Sequence, residues 1–357
     1  MKIQSLLLPL VLPLAVIAPA KAQEPVGVQK ISVSSKARGE DLTILVWYPA
    51  KAGGEQVLIG DDRIFQGTPA LADASKVEGT FPLIVLSHGS GASVEKMAWI
   101  ASGLAGDGFI VAGPNHPGTT SGDSTPEDTP KLWQRTDDLA TVIDRLLADP
   151  DWSASIDPRK IGALGFSLGG AAVLESAGAT ASLEAYADYC DTHAKMPDCQ
   201  WFKGGRAFRD GEELEVEPFD LRTVDKTLFE QARQDARITS VFAVDPALAA
   251  AFQEESLAGI GIPLHFINLG KAGQIDAGVR SARLAEAAPE AELDHVADAV
   301  HFSFLPVCKA DAIAFMKSIG EPDRLCTDGG GRSRAALHEE MAEMILKAFR
   351  TDLKTGN

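Results

Sequence analysis

The chain predicts an α/β fold, with a mostly parallel central sheet and helices on both faces. Three observations predict it. From Phe81 onward, short unbroken apolar runs alternate with helix-like segments, the pattern of buried parallel strands joined by crossover helices. Hydrophobic residues make up 45% of the 357 residues and charged residues 23%, a globular balance. One strand-to-helix junction, Gly165-Phe-Ser-Leu-Gly169, carries a serine between two glycines.

The elements follow in order. Val28 to Ser34 and Leu42 to Tyr48 alternate and are rich in β-branched residues, so both read as strands. Gly53 to Ala74 is polar and glycine-containing and reads as a connection. Phe81 to Leu86 is a buried strand, Val94 to Ala105 a helix, and Gly108 to Ala112 a second buried strand. Leu132 to Leu147 has apolar residues at helical spacing and stops at Asp149-Pro150, a helix-breaking pair. Ile161 to Phe166 is the next strand and Leu168 to Ala177 a helix of small residues. Ile238 to Val244, Leu264 to Leu269 and Ala291 to Ala297 read as later strands, and Arg334 to Arg350 as the closing helix. Gly178 to Ala236 interrupts the alternation with a polar stretch holding two cysteines. A structureless loop of that length is unusual in a compact domain. It is expected to form a small helical lid over the site, pinned by Cys190–Cys199.

Residues 1–22 read as a secretory signal. Lys2 opens it, Leu6 to Ile17 is apolar, and Ala20-Lys21-Ala22 offers small residues before Gln23. The run is too short to span a bilayer. Residues 23–357 are expected to be one domain with the 178–236 insertion, in a bacterial periplasm or the medium. The four cysteines, Cys190, Cys199, Cys308 and Cys326, suit two disulfides in that compartment. Spacing favours Cys190–Cys199 and Cys308–Cys326, while three connectivities are open. None lies in a Cys-x-x-Cys pair, so a metal or redox role is not expected. The formal charge is −17, which disfavours nucleic acid and anionic membrane surfaces as partners. No stable membrane anchor is expected.

The Gly-x-Ser-x-Gly pattern answers a geometric need. A nucleophilic serine must sit on a tight turn between strand and helix, and only glycines let the two approach closely enough. Ser167 is therefore the candidate nucleophile. Ser87-His88-Gly89-Ser90-Gly91 follows the strand Phe81–Leu86, where backbone amides can face a developing oxyanion. The Ser90 and Leu168 amides are the candidate pair. His88, His116 and Phe166 flank these motifs and are expected to reach the substrate, although His88 also suits packing within its loop. The base must be one of seven histidines. His301 lies late in the chain, just past the last predicted strand, as the order Ser…Asp…His requires. His265 and His295 fall inside strands, His193 in the insertion and His338 in the final helix. Two aspartates compete to orient the base. Asp245 ends the strand Val241–Val244, and Asp276 lies beyond Leu269. Asp245 is favoured and Asp276 is the alternative.

Leu86-Ser-His-Gly-Ser-Gly, Gly-Phe-Ser-Leu-Gly-Gly, Val241-Phe-Ala-Val-Asp-Pro, Pro263-Leu-His-Phe-Ile-Asn and His301-Phe-Ser-Phe resemble the platelet-activating-factor acetylhydrolases and the related bacterial predicted dienelactone hydrolases. The likeness runs from Thr80 to Leu305. It implies the α/β-hydrolase fold and a serine esterase acting on short or oxidised acyl chains. It also implies an acid on the strand after the nucleophile helix, matching Asp245, and oxyanion amides at Ser90 and Leu168. Dienelactone hydrolases proper use cysteine where this chain has Ser167. The expected reaction is hydrolysis of a small-molecule ester, with no cofactor and no metal. A peptidase or amidase on the same residues is one rival, and a non-catalytic binding protein on a hydrolase fold is another.

Overall fold

The structure, a computed structural model, describes residues 25–320 and 324–354. The expected signal at 1–22 lies outside them. Fourteen strands occur among the described residues: β1 (Val26–Ser35), β2 (Glu40–Pro49), β3 (Glu55–Ile59), β4 (Thr68–Ala72), β5 (Phe81–Ser87), β6 (Ile110–Pro114), β7 (Thr119–Thr120), β8 (Asp123–Ser124), β9 (Ile156–Phe166), β10 (Arg206–Arg209), β11 (Glu212–Glu215), β12 (Ile238–Val244), β13 (Leu264–Leu269) and β14 (Ala291–Val296). Ten form the main sheet, in the order β14-β13-β12-β9-β5-β6-β2-β1-β4-β3. From β14 to β6 every neighbouring pair is parallel. β2 and β1 then continue it antiparallel.

Side chains alternate across this sheet. On β5, Leu83 and Val85 join one core cluster with the helices Leu132–Ala148 and Leu168–Ser176. Ile84 and Leu86 join the other, with Ala98–Gly106 and Arg334–Lys354. Both faces are covered, which is why the central strands contain no polar alternation.

One expectation needs correction and another an addition. The connection from Gly53 to Ala74 contains the hairpin β3–β4, which extends the sheet edge through a parallel contact of β4 with β1. Its outer strand is largely exposed, so no buried apolar face marked it in the sequence. Most of the regular structure in the insertion is helical, in Leu183–Thr192, Pro197–Lys203, Leu221–Thr223 and Lys226–Phe229, but it also holds the hairpin β10–β11, which the sequence reading did not include. That hairpin turns at Asp210-Gly211, both with positive φ (54° and 81°), the backbone that an Asp-Gly turn favours. It pairs with β8 to make a separate four-stranded sheet, β11-β10-β8-β7.

Both favoured disulfides are present, Cys190–Cys199 inside the insertion and Cys308–Cys326 near the last helix. No helix among the described residues is long and apolar enough to cross a membrane.

The last helix reaches back toward the site. His338 donates from Nε2 to the Ser303 and Leu305 carbonyls, at 2.9 and 3.1 Å. Its ring stacks on Trp99 at 3.8 Å between centroids. Trp99 in turn donates to the Phe304 carbonyl. The turn His301–Phe304 is thus clamped from behind by two helices.

Burial lowers the His338 pKa from 6.5 to about 4. The unfolded chain therefore takes up a proton below pH 6.5 that the folded chain refuses, so this residue's contribution to stability is lost as pH falls through that window. Between pH 7 and 5 the wild type should lose about 2 kcal/mol that a His338→Gln variant does not lose, read by urea unfolding at each pH. Reduction of Cys190–Cys199, or its replacement by alanines, should cost about 2–3 kcal/mol by the loop-closure argument, read the same way.

Candidate active site

The strand β9 runs straight into Ser167, which adopts φ 55° and ψ −121° before the helix Leu168–Ser176 begins. Such a backbone is strained for any residue with a side chain. It is held on both sides: Ser167 N–H donates to the Val244 carbonyl at 3.0 Å, and the Ser167 carbonyl accepts from Ala247 N–H at 2.9 Å. The flanking glycines are obligatory. A Cβ on Gly165 would lie 2.1 Å from the Gly169 carbonyl oxygen, and one on Gly169 would lie 1.9 Å from that of Ser87.

His301 stands opposite. Its Nε2 is 3.1 Å from Ser167 Oγ, and its Nδ1 is 2.9 Å from Asp245 Oδ2. The Asp245 side chain is 1% exposed and that of His301 27%, so the array is sealed at the acid end and open at the serine. Asp245 sits just past β12 in a left-handed turn with φ 42°. Its second oxygen, Oδ1, accepts from the Leu269 amide at 2.9 Å and from the Asn268 side chain at 3.0 Å. These donors compensate a buried carboxylate and fix which oxygen faces the imidazole. Asp276 makes no hydrogen bond to His301 among the described residues and lies on the cavity wall instead.

Ser90 and Leu168 both line the same space. Leu168 opens its helix, so its N–H has no partner inside the helix. Around Ser90 the loop is pinned. The His88 carbonyl accepts from Arg135 Nη1 at 2.7 Å, the Gly89 carbonyl accepts from Ala92 N–H, and Gly91 N–H donates to the Thr119 carbonyl. Among the described residues neither the Ser90 nor the Leu168 amide has a hydrogen-bond partner.

Three residues expected at the substrate surface are not on the cavity wall. His88 and His116 are completely buried beneath the loop that carries Ser90. Burial first, then the nearby Arg135 charge, pushes both imidazoles well below the usual histidine range. Phe166 is 3% exposed, its ring lying 4.8 Å from that of His301 and 4.7 Å from that of Phe304. It backs the imidazole. Phe166 follows the alternation of β9, which puts it with Leu164 in the core cluster on that face of the sheet.

Above Ser167 lies a cavity of about 980 Å³. The insertion supplies Tyr186, Tyr189, Trp201 and Phe208 to its wall, and Phe302 closes the side next to His301. Trp201 and Phe208 are nearly parallel, with centroids 6.4 Å apart, and Trp201 Nε1 donates to Thr129 Oγ1 at 2.9 Å. Asp198 also faces this space. Burial holds its carboxyl above the ordinary range, and Tyr189 Oη donates to it at 3.4 Å. Nothing in the spacing of the insertion marked these wall residues. Among the described residues no group of acidic, histidine or cysteine side chains is arranged to hold a metal.

The chain is similar to known hydrolases. Residues 84–311 match the model of the Alpha/beta hydrolase family. A 121-residue stretch, 34% of the chain, is 31% identical to bis(hydroxyethyl) terephthalate hydrolase from Streptomyces coelicolor and covers 36% of that protein. The structure superposes on that of a ferulic acid esterase from Streptomyces cinnamoneus with a TM-score of 0.64, covering 96% of this chain and 93% of the other at 18% identity. The second likeness is one of fold. With well over half of its length matched, including the elbow, the oxyanion loop and the histidine turn, the chain belongs to the alpha/beta hydrolase family.

Proposed function

We propose that the protein is a serine carboxylic-ester hydrolase working through an acyl-enzyme on Ser167. The observation that carries the reading is the continuous array from Ser167 Oγ through His301 to Asp245, opening into the cavity. A serine hydroxyl is a weak nucleophile until a base takes its proton. His301 Nε2 does so as Oγ attacks the ester carbonyl. Asp245, with Oδ1 occupied by two donors, keeps Nδ1 protonated and stabilises the imidazolium. The free Ser90 and Leu168 amides receive the oxyanion, each contributing about 3 kcal/mol to lowering the barrier. The alcohol leaves with the proton from His301, and water repeats the sequence on the acyl-enzyme.

The cavity favours compact esters with a short or medium acyl chain or an aromatic ring. Its volume is in the range of small-molecule sites, and its insertion wall offers flat aromatic faces. Both named relatives are called after esters of aromatic acids, which supports the same choice. The closer kinship with the acetylhydrolases belongs to this proposal too, resting on the motifs quoted above. So does 178–236 acting as a lid, and so does export, which the pattern at 1–22 and the two disulfides support. No observation favours an amidase or a binding-only protein.

A panel of p-nitrophenyl esters of increasing acyl length, with methyl esters of substituted benzoic acids, tests the reading. Turnover should be greatest for short chains and aromatic acids, and matched anilides should be cleaved far more slowly. Ser167→Ala should abolish both turnover and labelling by a fluorophosphonate probe. Asp245→Asn should lower kcat about 10⁴-fold, and Asp276→Asn should change it by less than about tenfold because Asp276 does not touch the imidazole. Loss on Asp276→Asn with retention on Asp245→Asn would refute the assignment of the acid.

A further inference from the structure

Beneath the oxyanion loop the fold holds a second serine–histidine–aspartate array, and it is sealed. Ser87 Oγ is 2.9 Å from His116 Nε2, and His116 Nδ1 is 2.8 Å from Asp138 Oδ2. Ser87, His116 and Asp138 are all 0% exposed. No substrate can reach this serine, so the array is not a second active centre. Its partners give it another meaning.

Asp138 is gripped by Arg38, with Nε 2.9 Å from Oδ1 and Nη2 2.6 Å from Oδ2. The carboxylate must therefore accept from His116 Nδ1–H, which leaves His116 Nε2 to accept from the Ser87 hydroxyl. The backbone N–H of His116 donates to His88 Nε2 at 3.1 Å. That bond requires the other nitrogen of His88 to carry the proton, and His88 Nδ1 lies 2.7 Å from the Gly89 carbonyl oxygen. Every tautomer in the chain is thus dictated by its neighbour.

The last contact bears on the reaction. The Gly89 carbonyl and the Ser90 N–H belong to one peptide unit. In a trans peptide they point in opposite directions, and no cis peptide occurs among the described residues. His88 holds this carbonyl from below at 2.7 Å, the shorter of its two contacts, with Ala92 N–H at 3.2 Å as the other, and the amide is thereby turned the opposite way. We propose that His88 is the positioning residue of the oxyanion hole: through Nδ1–H it clamps the Gly89–Ser90 peptide, and the buried His116–Asp138–Arg38 chain fixes the His88 tautomer and ring that make the clamp. Arg135 completes the mount by holding the His88 carbonyl and, at 3.0 Å, Thr119 Oγ1. Thr119 holds Gly91 on the far side.

The inference rests on the esterase reading above, and two measurements keep them separable. His88→Phe fills the volume without either hydrogen bond. His88→Asn keeps a donor near the Gly89 carbonyl and loses the acceptor for His116. His88→Phe should lower kcat on the order of 100-fold, the effect of losing one oxyanion donor, with KM within about threefold. Affinity for a boronic acid that forms a tetrahedral adduct on Ser167 should fall in parallel. His88→Asn should recover a large part of both losses. Loss of stability alone would move neither the kcat-against-KM split nor the adduct affinity. The proposal is overturned if folded His88→Phe keeps kcat within threefold of wild type, or if KM rises while kcat holds. On the wild-type protein, ¹⁵N spectra of the histidine rings should show His88 as the Nδ1–H tautomer. An Nε2–H tautomer would remove the clamp and sink the idea even if no His88 variant folds. If the wild type cleaves no ester at all, the esterase reading fails, while boronate affinity and the ring spectra still decide the role of His88.

Discussion

The site depends on one contact between two stretches of backbone. Gly169, in the first turn of the helix Leu168–Ser176, lies so near the Ser87 carbonyl that a methyl group would sit 1.9 Å from that oxygen. This approach locks the end of β5 to the start of the helix that follows β9. The loop carrying one candidate oxyanion amide and the helix carrying the other are thereby brought to the same serine. The strained backbone of Ser167 is tolerable because it is tied to Val244 and Ala247 on the other side, next to the turn that carries Asp245. Ser167, the start of its helix and the turn that carries Asp245 are therefore positioned mutually through main-chain contacts, to which the side chains of His88, Arg135 and Asn268 are added.

Around this frame the fold uses burial in two ways. On the apolar side, Phe166 and Phe304 stack behind His301, and His338 with Trp99 fastens the turn that carries it. On the polar side, Asp245 and Asp138 are both inaccessible carboxylates facing an imidazole. They differ in what compensates them. Asp245 receives neutral amide donors at its free oxygen, so the His301–Asp245 pair has no competing cation. Asp138 is held by the Arg38 guanidinium, which makes its histidine a fixture. The same three residue types thus appear at an open site and in a sealed one, and exposure together with the nearest cation separates them.

Much of this was legible in the sequence. The alternation of apolar runs and helices gave the parallel half of the sheet, because strands buried on both faces cannot be mistaken for exposed ones. The Gly-x-Ser-x-Gly junction, the late histidine and the strand-terminal Asp245 are local in sequence and carry their geometry with them. What escaped depends on partners far along the chain. The link of Arg38 to Asp138 spans a hundred residues, and nothing near His88 or His116 tells that they face inward. The hairpin β10–β11 did leave a mark in Asp210-Gly211, but its flanks are so charged that the alternation is obscured; one whole strand, Glu212–Glu215, is exposed. The hairpin β3–β4 was hidden for a different reason: its strands are only five residues each, with Pro69 inside the second and three residues of the first exposed, so neither shows a clear alternation.

The insertion enters between the helix Leu168–Ser176 and β12 and leaves again, closing its own loop with Cys190–Cys199 and touching the rest of the cavity rim through a second, small sheet. It contributes much of the chamber's wall, yet no hydrogen bond links it to Ser167, His301 or Asp245 among the described residues. The Ser167–His301–Asp245 array and the insertion's share of the chamber wall are therefore held by separate contacts. That share of the wall is written in one continuous stretch of sequence, so its shape can change without touching the array beneath.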